Sequence, residues 1–307
     1  RQLYKTVRSD TVIQQIHERF PMIAIWDDHE FSDDSHGSTS TITSGRENED
    51  DIIRKRRAEQ AYFEFMPVDA VNDGETELPV KPEQLYPNSR IYRDFAFGQN
   101  LHLVMTDFRT NRPDHLIPED AFPGTVVMHQ ASVIIALATQ GIDFKGISAG
   151  LTPYLNIDDA MFAAYRPVLV GTLTQGYMAE GLAPQDAAAK AETVMQGNLS
   201  TDSVNSLLAQ YNAQVPAEMQ LPLIADEVIA TLERGIAYQT LGKSSMFSSL
   251  GSRYFVTKDI YDIYAGYKYA LDSSTQDAYG AEQEAWYKDK LLGSQARWKV
   301  VASSELV

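Results

Sequence analysis

The chain has 307 residues, no cysteine, 44% hydrophobic residues and a formal charge of −16. That length and composition support a packed core in two domains or one enlarged one, and the excess of carboxylates argues against nucleic acid or an anionic membrane surface as a partner. Without cysteine there is no disulfide, thiolate-held zinc or thiol nucleophile, and no run of roughly 18 apolar residues is available to span a membrane.

Ser9-Asp10 reads as the cap of a helix carrying Val12, Ile13, Ile16 and Phe20, stopped by Pro21. Met22 to Trp26 reads as a short buried strand. Residues Ser38 to Asn48, rich in Ser, Thr, Gly and Asn, read as a loop. A helix follows from Asp50 to Phe65, with Ile52, Ile53, Ala61, Tyr62 and Phe65 as its apolar side, and Pro67 ends it. Asp73-Gly74 is a turn, and Ile91 to Phe97 with Leu101 to Met105 is a hairpin turning at Gly98-Gln99-Asn100. After Gly124 the composition shifts to Ala, Gln, Leu and Ser, with helical patterns near 157–165, 184–196, 201–212 and 222–241. Pro184 suits a first helical turn. From Gly280 the pattern returns to a compact unit, with a helix from Ala281 to about Ser294 and a strand from Trp298 to Ser303. The organisation expected is a core, 1–124 with 277–307, interrupted by a mainly helical insertion, 125–276.

The most informative segment is Ile23-Ala24-Ile25-Trp26-Asp27-Asp28-His29-Glu30-Phe31-Ser32-Asp33-Asp34. Five carboxylates and one imidazole fall within eight residues, and like charges that close repel unless positive charge sits among them. Oxygen and imidazole donors gathered at a strand end suit hard or borderline metal ions; a solvated acidic loop is the simpler alternative. Glu30 reads as a turn cap, and Asp33 as a solvated group. Arg109 and Arg112 read either as surface or salt-bridge residues or as bidentate anion forks, Arg109 the better of the two, with Asp107 positioning it. His102 reads as a core or edge residue, and Gln283 and Trp286, one helical turn apart, as packing of a helix onto the sheet.

Trp26-Asp27-Asp28-His29-Glu30 closely resembles the signature of the PhoD-like alkaline phosphatases, within the metallophosphoesterases. Four further segments resemble that family in order: Arg56-Arg57-Ala58-Glu59-Gln60-Ala61-Tyr62 with Glu64-Phe65-Met66-Pro67; Ile91-Tyr92-Arg93 with Phe95, Phe97 and Gly98; Asp107-Phe108-Arg109-Thr110-Asn111-Arg112; and Gly280-Ala281-Glu282-Gln283 with Trp286, Ser294, Arg297, Trp298 and Lys299. The similarity covers about 8–124 and 277–307.

The resemblance implies an α/β fold, a metallophosphoesterase-like β-sandwich flanked by helices. It implies hydrolysis of phosphate esters by metal-activated water, with Ca²⁺ and Fe³⁺ as the expected ions. Asp28 takes the metal-ligand position, with Asp27 and Asp34 as further candidates, Asp27 alternatively orienting His29. His29 takes the position facing the phosphoryl group, and Arg109 binds phosphate. A small-molecule or lipid phosphoester is the implied partner, and a periplasmic or extracellular location the implied setting. The rival readings are a phosphodiesterase or phospholipase D-like activity and a non-catalytic metal-binding module. The resemblance also places further metal ligands before and after these residues, so the expectation is a piece truncated at both ends that turns over little by itself.

Overall fold

The computed structural model describes residues 1–43, 46–71, 76–118, 121–140, 150–244 and 256–304; the Asp73-Gly74 turn lies outside them. The chain divides into two compact units, 1–114 with 274–307, and 115–273.

In the first unit Asp10 accepts hydrogen bonds from the Val12 and Ile13 amides and starts the helix Thr11–Arg19. A helix not anticipated, Gln2–Arg8, precedes it. Met22 to Trp26 is no strand: no described strand pairs with it, and Met22 and Ile23 are exposed. Apolar character alone does not make a strand when no neighbouring strand pairs with it; the Ala24 carbonyl accepts instead from the Arg93 guanidinium. Trp26, at 2% exposure, enters the core, and the partly buried Ile25 packs against it. The expected loop at Ser38 to Asn48 is instead a two-stranded antiparallel ribbon, β1 (Thr39–Thr43) with β2 (Arg46–Asp50), pairing Thr39 with Asp50. The β-branched Thr-Ser-Thr-Ile-Thr favours a strand more strongly than its Ser and Thr content favours a loop.

Asp51 caps the helix Ile52–Phe65 by accepting from the Arg54 amide. Its buried face is Lys55, Glu59, Tyr62 and Phe63, while Ile52 and Ile53 are exposed. The spacing is helical, but two of the four buried positions are charged, so the apolar residues alone marked Tyr62 of the buried face and not Lys55 or Glu59. Tyr62 and Phe63 pack edge-on and tilted against Trp26, with ring centroids 5.3 Å and 5.8 Å away. Ala70, Val80, Leu85 and Ile91 complete this cluster.

β3 (Arg93–Phe97) and β4 (Leu101–Met105) form the expected hairpin, and β9 (Trp298–Ala302) lies parallel to β4. The helix Gly280–Gly293 comes just before β9. The described residues of this unit thus form a three-stranded sheet and a ribbon, not the two-layered sandwich.

The second unit is helix-rich but built around an antiparallel sheet that hydrophobic patterning did not disclose. Its order is β5-β8-β6-β7, from β5 (Val126–His129), β6 (Thr152–Asn156), β7 (Asn198–Ser200) and β8 (Arg234–Ala237). The helices Pro184–Val194 and Thr201–Asn212 form as expected. Near 157–165 there is only the single turn Ala160–Phe162, ahead of an unforeseen helix Arg166–Ala179. The pattern at 222–241 breaks into Asp226–Ile229, β8 and Tyr238–Leu241. Leu169, Leu173, Tyr177, Leu199 and Leu208 form the main core. At Gly235 a Cβ would lie 2.6 Å from the Met128 carbonyl oxygen, so β5 and β8 approach this closely only because that position is glycine. The protein is therefore mixed α/β, and among the described residues no helix is long and apolar enough to cross a membrane.

Phe63 is 4% exposed and holds one side of the Trp26 indole. Phe63→Ala is expected to cost about 3–5 kcal/mol through lost burial and a residual cavity. Urea unfolding measures this; an unchanged midpoint would contradict the packing described.

Candidate functional site

The acidic segment folds as a run of turns after Trp26. The Phe31 and Ser32 amides donate to the Asp28 carbonyl at 2.9 and 2.8 Å. The Asp28 carboxylate accepts from the His29 amide at 3.0 Å and the Asp34 amide at 2.6 Å, so one side chain ties both ends of the turn. Glu30 accepts from the Asp27 amide at 2.9 Å. Asp34 adopts φ of +50°, a left-handed conformation that Asp tolerates better than most residues. Arg112 grips it there through both its carbonyl and its carboxylate, at 2.8 and 2.9 Å.

Arg109 answers the repulsion among these carboxylates. Its Nε donates to Asp27 Oδ1 at 2.8 Å and its Nη1 to Asp34 Oδ1 at 3.4 Å; its Nη2 lies 4.0 Å from Asp28 Oδ2. The Arg109 side chain is buried, so solvent screens its attraction to the buried Asp28 and Asp34 less than that to the half-exposed Asp27. Burial alone would raise the Asp28 carboxyl, but the Asp34 amide, the Arg109 guanidinium and His29 outweigh it and hold the group below the ordinary carboxylate range.

Asp107, just beyond β4, fixes Arg109. Its carboxylate accepts from the Arg109 and Thr110 amides at 2.9 and 3.1 Å, from the Thr110 hydroxyl, and from the Trp26 indole N–H at 3.0 Å. Gln283 then holds the Asp107 backbone from both sides: the Asp107 amide donates to Gln283 Oε1 at 2.6 Å, and Gln283 Nε2 donates to the Asp107 carbonyl at 2.8 Å. Trp286 stacks at a tilt on Tyr92, centroids 4.8 Å apart. A helix 176 residues away in sequence thus secures the loop's anchor.

Among the described residues, the side chains whose donor atoms gather are Asp28, His29 and Asp33, with ligand atoms within 4.8 Å of one another. Asp28 is buried, while His29 and Asp33 are exposed, 3.3 Å apart. Two carboxylates and an imidazole match a hard or borderline cation. Asp27 and Asp34, the other expected ligands, are turned onto Arg109 and Arg112. Arg109, expected to face phosphate, is 4% exposed and occupied with carboxylates. Asp33 is the residue that sequence reasoning passed over; its place four residues after His29 was the signal. Outside this group, His102 Nε2 pairs with Asp94 at 2.9 Å.

A scan of protein families matches residues 1–135 to PhoD-like phosphatase. The PhoD-like stretch contains every loop carboxylate, Arg109 and Arg112, and it runs past residue 124; residues 277–307 lie outside it. A second comparison aligns 107 residues, 35% of this chain, at 30% identity with the alkaline phosphatase D of Bacillus subtilis (strain 168). The chain spans 16% of that relative's length. No solved structure gives a significant match.

Beneath the loop, Glu59 is 2% exposed, accepting from the Tyr86 amide at 2.6 Å and the Ser89 hydroxyl at 3.3 Å. Burial pushes its carboxyl up to about 7, against the pull of Lys55 and the Tyr86 amide. The folded state therefore holds this proton more tightly than the unfolded chain. The resulting stabilisation is fully present below about pH 4.5 and lost as pH rises through about 7. Relative to wild type, Glu59→Gln is expected to gain stability between pH 4.5 and 7, by up to roughly 3 kcal/mol. Thermal unfolding of both proteins across that range measures it, and a constant difference would contradict the burial argument.

Proposed function

We propose that this protein hydrolyses phosphate esters with the help of a bound cation, as the PhoD-like family name suggests. The observation that carries the reading is Asp28: a buried carboxylate kept ionised beside His29 and Asp33, their ligand atoms within 4.8 Å. Asp28 and Asp33 are the proposed donors for the ion, with Ca²⁺ and Fe³⁺ as the candidates. When bound, such a cation offsets charge on the phosphoryl oxygens and acidifies water.

The chain's own residues supply the rest. His29 projects into solvent and donates to or accepts from a phosphoryl or leaving-group oxygen, oriented by Asp33. Arg109 holds Asp27 and Asp28 in place and offsets their charge; it reaches phosphate only by exchanging a carboxylate for it. We further propose that the first unit is part of a larger metallophosphoesterase sandwich, with the second unit inserted into it, acting outside the cytoplasm on a small-molecule or lipid phosphoester.

The test is hydrolysis of an aryl phosphate monoester and the matching diester, before and after chelation. Chelation is expected to abolish turnover and readdition of metal to restore it; the ratio of the two substrates separates phosphatase from diesterase. His29→Ala is expected to lower kcat on the order of 100-fold, and Asp28→Asn to weaken metal binding. Turnover that survives chelation would contradict the proposal, and tight metal binding without turnover on either ester would favour a non-catalytic binding module.

A further inference from the structure

Burying a lysine requires compensation, because its ammonium loses its hydration. Lys55 is 3% exposed, and its place in the fold indicates where the compensation comes from. Its Nζ lies 5.3 Å from the Trp26 ring centroid and 5.2 Å from that of Phe31. Both distances are within cation–π range. Trp26 and Phe31 are the residues immediately flanking Asp27-Asp28-His29-Glu30. On the same helix Arg54 lies 5.1 Å from the Phe31 ring centroid and donates to the Phe31 carbonyl at 3.5 Å. Burial lowers the pKa of the Lys55 ammonium; Glu59, one turn further on, Asp107 and Glu30 work against that shift, while Arg109 adds to it. Glu59 is itself held by Tyr86 and Ser89.

We propose that Lys55 is a positioning residue for the acidic loop: its ammonium, set between the Trp26 and Phe31 rings, pins both ends of the Asp27–Glu30 segment and so keeps Asp28 in its donor group. Lys55 touches neither substrate nor ion. It holds the aromatic residues between which the donor segment is strung, and Trp26 in turn donates to Asp107, the anchor of Arg109. The role in ion binding rests on the phosphoester reading above; the role in shaping the loop does not.

The chain contains three tryptophans, so its indole N–H resonances are few, and Trp26→Phe assigns the relevant one. Lys55→Met keeps the aliphatic stem and removes the charge. It is expected to move the Trp26 indole resonance, speed amide exchange at Asp34, and weaken calorimetric Ca²⁺ affinity on the order of tenfold, as loss of an outer support does. Phe31→Leu, which leaves Lys55 in place and removes one ring, is expected to do the same in the same direction. It decides the matter if Lys55→Met does not fold. A lower melting temperature with the indole resonance, Asp34 exchange and Ca²⁺ affinity all at wild-type values would overturn the proposal. Wild-type protein that binds no Ca²⁺ would count against the ion reading; the resonance and the exchange rates would then still decide whether Lys55 shapes the loop.

Discussion

The guanidinium of Arg109 among Asp27, Asp28 and Asp34 is the contact on which the rest of the site depends. A segment with five carboxylates in eight residues cannot turn inward by its own preferences, since each buried carboxylate raises the cost of the next. Arg109 removes that obstacle from 82 residues away in sequence, and it can do so because its backbone is held independently of its side chain. Asp107 receives the Arg109 amide, Thr110 and Trp26, and Gln283 holds the Asp107 backbone. The acidic loop is thus seated on the end of β4 by contacts from both sides of the unit's sequence.

A second layer supports the first. The helix Ile52–Phe65 turns Lys55 and Glu59 inward along with Tyr62 and Phe63, placing charge of both signs beneath a strongly acidic surface segment. Buried ion pairs contribute little net stability compared with apolar packing. Their use here is better understood as placement: a cation under the loop attracts the Trp26 and Phe31 faces and balances Glu59 and Asp107. The molecule's overall charge of −16 conceals this local balance of Arg109, Arg112, Arg54 and Lys55 against the loop.

What was legible in the sequence was local. The hairpin of β3 and β4, Asp10 as a helix cap, Pro184 at a helix start and the acidic loop all declare themselves within a few residues. The features that escaped depend on distant partners. The strands β5 to β8 are three to five residues long and become a sheet only by pairing across long stretches of chain, β6 with β8 through Thr152 and Gly235. Met22 to Trp26 has the composition of a strand but no pairing strand among the described residues. The inward face of Ile52–Phe65 was legible at Tyr62 but not at Lys55 and Glu59, whose burial depends on Trp26, Tyr86 and Ser89, which no helical periodicity reports. At the site, the acidic and imidazole residues were evident, but which carboxylates join His29 and which are held by arginine depended on where Arg109 and Arg112 arrive.

The most direct measurement is amide hydrogen exchange of residues 28–35 in wild type and in Arg109→Met, a substitution that keeps much of the side chain's bulk but none of its charge. If Arg109 holds the loop, the Asp34 and Ser32 amides, which donate to the Asp28 carboxylate and carbonyl, are slow to exchange in wild type. They become fast in Arg109→Met while the β3–β4 hairpin keeps its protection. Equal protection of those amides in both proteins would contradict the account, and the loop would then owe its shape to its own turns.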